Sequence, residues 1–232
     1  MIPILLALAA GLTDLVAGAL TLRGALARLP SRYVIAFGAG VLLAATFFNI
    51  LPEVDLKADA FAIAAGFVAF YLLEKVVMLH ACGEEECETH QIGPSAVIGM
   101  ALDNVVDGAS IAVGYLISPV LGFVLTLAVV MHEIPQGITS AVVMREANWS
   151  RARTLAVLAL AGALYPIGAL AAGWIPQHFL HPALAFIAGD FLYIGASDLL
   201  PEAHRRFNMW VILAVLAGMA FVLALRAIFP VA

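Results

Sequence analysis

Charge is what this chain has least of. Lysine, arginine, aspartate and glutamate make up only 12% of its residues, while apolar residues make up 64%. A soluble domain carries about twice that charge and far less apolar surface, so a soluble globular fold is excluded. Cysteine is almost as scarce. The two present, Cys82 and Cys87, are too few for a disulfide scaffold or a four-thiolate metal knot. No Gly-x-x-x-x-Gly-Lys-Ser/Thr run occurs, which removes a nucleotide-binding loop and direct coupling to ATP. Basic residues number 11 against 16 acidic ones, and no nucleic-acid partner is expected. The alternating segments of about ten residues that a membrane β-barrel needs are also missing.

What is present is a series of long apolar runs. A helix needs about 20 such residues to cross a bilayer, and eight stretches qualify: 2–22, 33–51, 60–78, 94–117, 119–144, 155–175, 182–200 and 209–229. The connections between them are short. The expected fold is therefore an all-α membrane protein, with residues 1–232 as one transmembrane domain. The first run lacks a basic leader, contains Asp14 and is too long for a signal sequence, so it is read as a retained helix. Loops on alternate sides sort the basic residues sharply. One side receives Arg23, Arg28, Arg32, Lys75, Arg145, Arg151, Arg153, Arg205 and Arg206, the other only Lys57 and Arg226. The positive-inside rule places the richer side in the cytoplasm and both termini outside. The compact chain suggests a bacterial plasma membrane as its host.

Two short motifs repeat across the centre. Asp103-Asn104-Val105-Val106-Asp107-Gly108 lies in the fourth run and His132-Glu133-Ile134-Pro135-Gln136-Gly137 in the fifth. In each, polar side chains at the first, second and fifth positions share one helix face. Carboxylates, an amide and an imidazole are costly inside a bilayer unless they pair or hold an ion. The set is rich in oxygen, has one imidazole and lacks thiolate, which suits Zn²⁺, Fe²⁺, Mn²⁺ or Cd²⁺ better than Cu⁺. Pro135 leaves the carbonyl of Met131 without its usual donor. Gly108 and Gly137 allow close helix approach. A second pair of matches, Asn49-Ile50-Leu51-Pro52-Glu53 and Asp198-Leu199-Leu200-Pro201-Glu202, closes the second and seventh runs. The alternating topology relates both pairs by inversion, an arrangement characteristic of secondary transporters. A three-plus-two-plus-three inverted repeat is therefore expected.

These residues resemble the ZIP family of metal-ion transporters. The family's usual patterns are His-Asn-x-x-Asp/Glu-Gly on the fourth helix and His-Glu-x-Pro-Glu/Gln/His on the fifth. The stretch Gly189-Asp190-Phe191-Leu192-Tyr193-Ile194 through Asp198-Leu199-Leu200-Pro201-Glu202 is similar to the family's seventh helix. The resemblance implies eight helices, both termini outside and transport of a divalent ion, zinc foremost, as substrate rather than cofactor. Asp103, Asp107, His132 and Gln136 are the expected primary ligands, bordered by Asn104 and Glu133. The chain departs from the family pattern at Asp103, where histidine is usual. It also has Tyr165-Pro166 where Glu-Pro often helps hold a second metal, and Asn49 where histidine or another polar residue is frequent. Neutral Tyr165 and Gln136 imply a single tightly held ion.

Residues 80–93 form an acidic loop holding His80, Cys82, Cys87 and His90, and the family often carries a His-rich cytoplasmic loop here. Metal collection and a plain solvated loop both fit it. Glu53, Asp198 and Glu202 fall near helix ends, where they can line an ion route or simply face water. Asp14 and Asp190 are read as interhelical glue, and Trp149, Trp174 and Trp210 as interfacial anchors. The expected partners are the metal ion and the lipid bilayer, and a homodimer is compatible with the sequence. Two other functions compete. His132-Glu133-x-x-Gln136 misses the His-Glu-x-x-His zinc-protease motif by one residue, and a metal sensor would bind without flux.

Overall fold

Inside a bilayer every backbone N–H and C=O must find its partner within the protein, which confines long apolar runs to helices. The computed structural model follows that rule. It describes residues 1–26, 31–82, 94–205 and 208–229, with side chains described outside 77–98. All regular structure among these residues is helical: α1 (Ile2–Leu22), α2 (Ser31–Ala45), α3 (Ala60–Cys82), α4 (Pro94–Ile117), α5 (Pro119–Glu146), α6 (Arg151–Gly162), α7 (Leu164–Ala172), α8 (Leu180–Leu192), α9 (Leu200–Ala203) and α10 (Met209–Ile228). Proline opens α4 and α5, where its missing N–H costs nothing. Seven helical segments among the described residues are long and apolar enough to cross a membrane; the chain is an integral membrane protein. The run expected at 60–78 falls on α3, which is 23 residues long. Of the expected loop 80–93, the backbone of 80–82 continues α3, and 83–93 lie outside the described residues.

Three prolines shape the spans. Pro52 follows a π-helical segment, Thr46–Ile50, and Pro201 follows another, Tyr193–Leu199. In each the widened turn closes with a five-residue hydrogen bond, from Leu51 N–H to the Thr46 carbonyl and from Leu200 N–H to that of Gly195. Pro52 has no N–H for the carbonyl of Phe48, and the guanidinium of Arg226 on α10 donates to that oxygen instead. Pro166 likewise has nothing to give Gly162, and the sixth span breaks into α6 and α7 at Ala163. Pro135, by contrast, sits inside an unbroken α5. The Met131 carbonyl it leaves free lies against Gly38 of α2, 3.3 Å from where a Cβ would stand there.

Lipid tails are as apolar as leucine, so helix association rests on close packing rather than on the hydrophobic effect. Gly108 and Gly168 show how. Each lies on a backbone carbonyl of the opposite helix, that of Tyr165 and that of Val105 respectively, and a Cβ at either would overlap it. The glycine of the fourth-span motif thus seats α4 on α7, and Gly137 seats α5 on α1 against the carbonyl of Asp14. Large apolar side chains such as Leu5, Leu12, Leu213 and Leu216 are exposed on the outer face, as lipid contact requires. Trp174 and Trp210 are exposed at span ends, and the Arg153 guanidinium stacks over Trp149 at 3.9 Å. The interior holds Ile111, Leu125, Leu184 and Phe191, and with them a set of buried polar groups.

Candidate metal centre

Most of those buried polar groups lie on α1, α4, α5 and α8, with Thr46 and Asn49 on the π-helical segment Thr46–Ile50 and Thr154 on α6. Asp107 on α4 meets His132 and Glu133 on α5, and one ligand atom from each lies within 4.8 Å of the others. His132 Nδ1 donates to the carbonyl of Ala128 at 3.1 Å. Because that carbonyl can only accept, the proton of a neutral imidazole sits on Nδ1 and the Nε2 lone pair is left free. Nε2 lies 3.2 Å from Asp107 Oδ2 and 3.2 Å from Glu133 Oε1. A lone pair facing two carboxylates is repulsive unless a proton or a metal cation lies among them, so the same place can hold either. Ligand bonds of about 2.0–2.2 Å in tetrahedral geometry put ligand atoms roughly 3.3–3.6 Å apart, so the spacing fits one small divalent ion. Neither oxygen of Asp107 or Glu133, nor His132 Nε2, has a hydrogen-bond partner, and all three side chains are buried.

Asn104 stands one turn before Asp107, and its Oδ1 accepts a hydrogen bond from the Tyr165 hydroxyl at 3.3 Å. Tyr165 thus reaches the site from α7 and braces Asn104. The ring of Phe191 on α8 packs edge-on to His132, with centroids 6.2 Å apart. Asp190, beside it, is buried without a hydrogen-bond partner and within reach of the charges on Asp103 and Asp107.

Asp103 and Gln136, each one turn from the cluster, line a cavity of about 360 Å³ rather than the cluster itself. Glu74, Tyr193 and Asp198 line the same cavity. The Tyr193 hydroxyl donates to Glu74, and the Lys75 ammonium donates to the other oxygen of Glu74 at 2.8 Å. The six residues singled out from the sequence therefore fall into two levels. Asn104, Asp107, His132 and Glu133 lie at the closed centre, and Asp103 and Gln136 lie on the wall of an acidic cavity leading away from it. Tyr193 belongs to the stretch matched to the seventh helix but was given no role, and Glu74 was not singled out, although an acidic residue within the apolar third run was the available signal.

A helical membrane protein with a buried group of side chains at its centre that could hold a metal ion, and an acidic cavity beside it, is the class these features define. Residues 80–226 match the family model described as ZIP zinc transporter, and the chain belongs to the ZIP family. Among curated relatives, zinc transporter ZIP13 of Pongo abelii is 25% identical over 202 residues, covering 77% of this chain and 60% of the relative. Zinc transporter ZIP13 of Danio rerio is 32% identical over 143 residues, covering 57% of this chain and 40% of the relative. The chain thus spans between about two fifths and three fifths of the length of these relatives.

Proposed function

We propose that this chain carries divalent transition-metal ions, zinc foremost, across its membrane toward the cytoplasm through a site between α4 and α5. The observation that carries this reading is His132 Nε2 held 3.2 Å from a carboxylate on each side, in a buried place where no lysine or arginine pairs with them among the described residues. Family membership and the zinc transporter relatives support it. Asp107, His132 and Glu133 are the ligands, Asn104 borders them, and Asp103 and Gln136 take the ion into the cavity. Glu74 and Asp198 line that cavity near Lys75, on the side the basic loops assign to the cytoplasm. The conformer described is accordingly the inward-facing one, with Phe191 and neighbouring apolar residues sealing the other side.

Eight spans in an inverted three-plus-two-plus-three repeat account for several observations together. Both Leu-Pro-Glu turns are preceded by π-helical segments. Gly40 of α2 and Gly218 of α10 interlock, each on the other helix's backbone, as Gly66 of α3 and Gly189 of α8 do. Inversion exchanges the second span with the seventh and the third with the eighth, so one interlock maps onto the other. Alternating access by movement of one helix group against another follows from such a plan.

An intramembrane protease needs a glutamate held apart from the metal as general base. Glu133 instead lies as near His132 Nε2 as Asp107 does, inside the ligand cluster. Metal-loaded proteoliposomes test the proposal. Saturable zinc flux by the unmodified chain, lost in Asp107→Ala, is the expected result. Peptide cleavage without flux would make it a protease, and binding with neither would make it a sensor.

A further inference from the structure

Asp14 and Asp190, expected to tie helices together by hydrogen bonding, do not. Both are fully buried, and their carboxylate oxygens have no partner among the described residues. Glu74 on α3 is the opposite case, with a donor on each oxygen. The Lys75 ammonium donates to Oε1 at 2.8 Å, and the Tyr193 hydroxyl donates to Oε2. Adjacent side chains leave a helix in different directions, so Lys75 has to fold back to reach its neighbour. Its ammonium then stands 5.7 Å from the centre of the Tyr71 ring, one turn earlier on α3, and that ring meets Tyr193 edge-on. The side chains of Lys75 and Glu74 are 45% and 35% exposed, and an ion pair so open to water adds little to stability. Its effect falls on the cavity instead. Glu74 lines that cavity together with Asp103 and Asp198. Asp198 lies within reach of the charges on Glu74, Glu202 and Lys75. Arg205 is committed to Glu202 at 2.7 Å.

We propose that Lys75 is a built-in competitor for Glu74: its ammonium keeps that carboxylate from the departing metal ion, and so lets the ion leave the cavity. The proposal rests on the transport reading. Three free carboxylates on one cavity wall would draw a divalent ion out of the central cluster and then retain it. Conduction needs sites strong enough to be entered and weak enough to be left. With both oxygens of Glu74 taken, Asp103 and Asp198 are the carboxylates left to the ion, and the ammonium repels an ion that settles beside Glu74. Lysine suits this task, being a compact, hydrated charge on a flexible stem. It can yield Glu74 to water and return without any movement of α3. The Tyr193 hydroxyl holds the second oxygen, so the carboxylate keeps its place while the lysine exchanges. Lys75 is thus a positioning residue that acts through Glu74.

The test is the rate at which zinc leaves the purified full chain in detergent, followed by stopped-flow transfer to a chromophoric chelator. Lys75→Gln uncovers the carboxylate and is expected to slow release by about fivefold or more. Lys75→Arg keeps the positive charge and should release zinc at nearly the unmodified rate. Glu74→Gln combined with Lys75→Gln should restore that rate, because no carboxylate is then left to uncover. The midpoint for thermal aggregation should be alike in all three variants, which separates exit of the ion from stability of the fold. Release unchanged in Lys75→Gln, or slowed as much in the double variant, would overturn the role of Lys75 and leave the transport reading intact. An unmodified chain that binds no zinc would remove both.

Discussion

His132 has the most constrained chemistry in the chain. Its Nδ1 is committed to the Ala128 carbonyl, so every function of the ring passes through Nε2. Removing the ring leaves Asp107 and Glu133 facing each other with no basic group, and removing Asp107 takes the one carboxylate that α4 contributes to the cluster. Each of His132→Ala and Asp107→Ala is expected to reduce saturable zinc uptake by at least a hundredfold while membrane insertion is retained, as read by radiotracer flux and immunoblot. Tyr165→Phe is a milder change. It deletes one neutral hydrogen bond to Asn104, worth about 1 kcal/mol, so uptake should fall by no more than about tenfold. A loss as complete as that of Asp107→Ala would show that the hydroxyl does more than brace Asn104. At this scale the sequence was informative wherever helix periodicity applied. Asp107, His132 and Glu133 could be placed on facing helices because the i, i+1, i+4 pattern and the apolar surroundings were both visible. It could not show that Glu133 enters the cluster while Gln136 lines the cavity. That depends on the relative rotation of α4 and α5, which Gly108 and Gly137 set by packing on α7 and α1.

The broken spans show how an element is held open. The Pro52 turn leaves the Phe48 carbonyl without a backbone donor, and Arg226, reaching across from α10, takes that role. An unsatisfied carbonyl buried among apolar helices costs about 1–3 kcal/mol. Arg226→Leu should therefore destabilise the protein by about that amount, seen as a lower midpoint for thermal aggregation in detergent. Pro52→Ala restores an N–H four residues after Phe48. In the Arg226→Leu background it should recover part of the loss, whereas in the unmodified chain it should gain little. Equal effects in both backgrounds would mean that the arginine and the proline are not coupled through that oxygen. Helix boundaries were largely legible. The expected 2–22 and 94–117 coincide with α1 and α4, because long apolar runs and leading prolines fix where a helix in lipid can start. The π-helical segments were not legible, since a single extra residue in a turn leaves no mark on apolar periodicity, and only proline hints that the ladder must change.

Taken whole, the molecule is asymmetric about its candidate metal centre: one side is packed with apolar side chains and the other opens into the cavity bearing Asp103, Gln136, Glu74 and Asp198. The proposed orientation, with the basic loops inside, faces that open side to the cytoplasm, so orientation and conformational state can be tested together. Thr139, exposed on the cavity wall one turn beyond Gln136, is the reporter position. A Thr139→Cys chain is needed in a background carrying Cys82→Ser and Cys87→Ser, so that the new thiol is the only one. A membrane-impermeant maleimide is expected to label it in inside-out vesicles and to leave it unmodified in intact cells. Saturating zinc should slow the reaction at least severalfold, because an ion passing Asp103 and Gln136 lies in the path of the reagent. Ready labelling from outside in intact cells would reverse the orientation, and with it the direction of transport read from the acidic cavity. Absence of labelling from either face would show that the cavity is sealed in the membrane and that the inward-facing state is not the resting one.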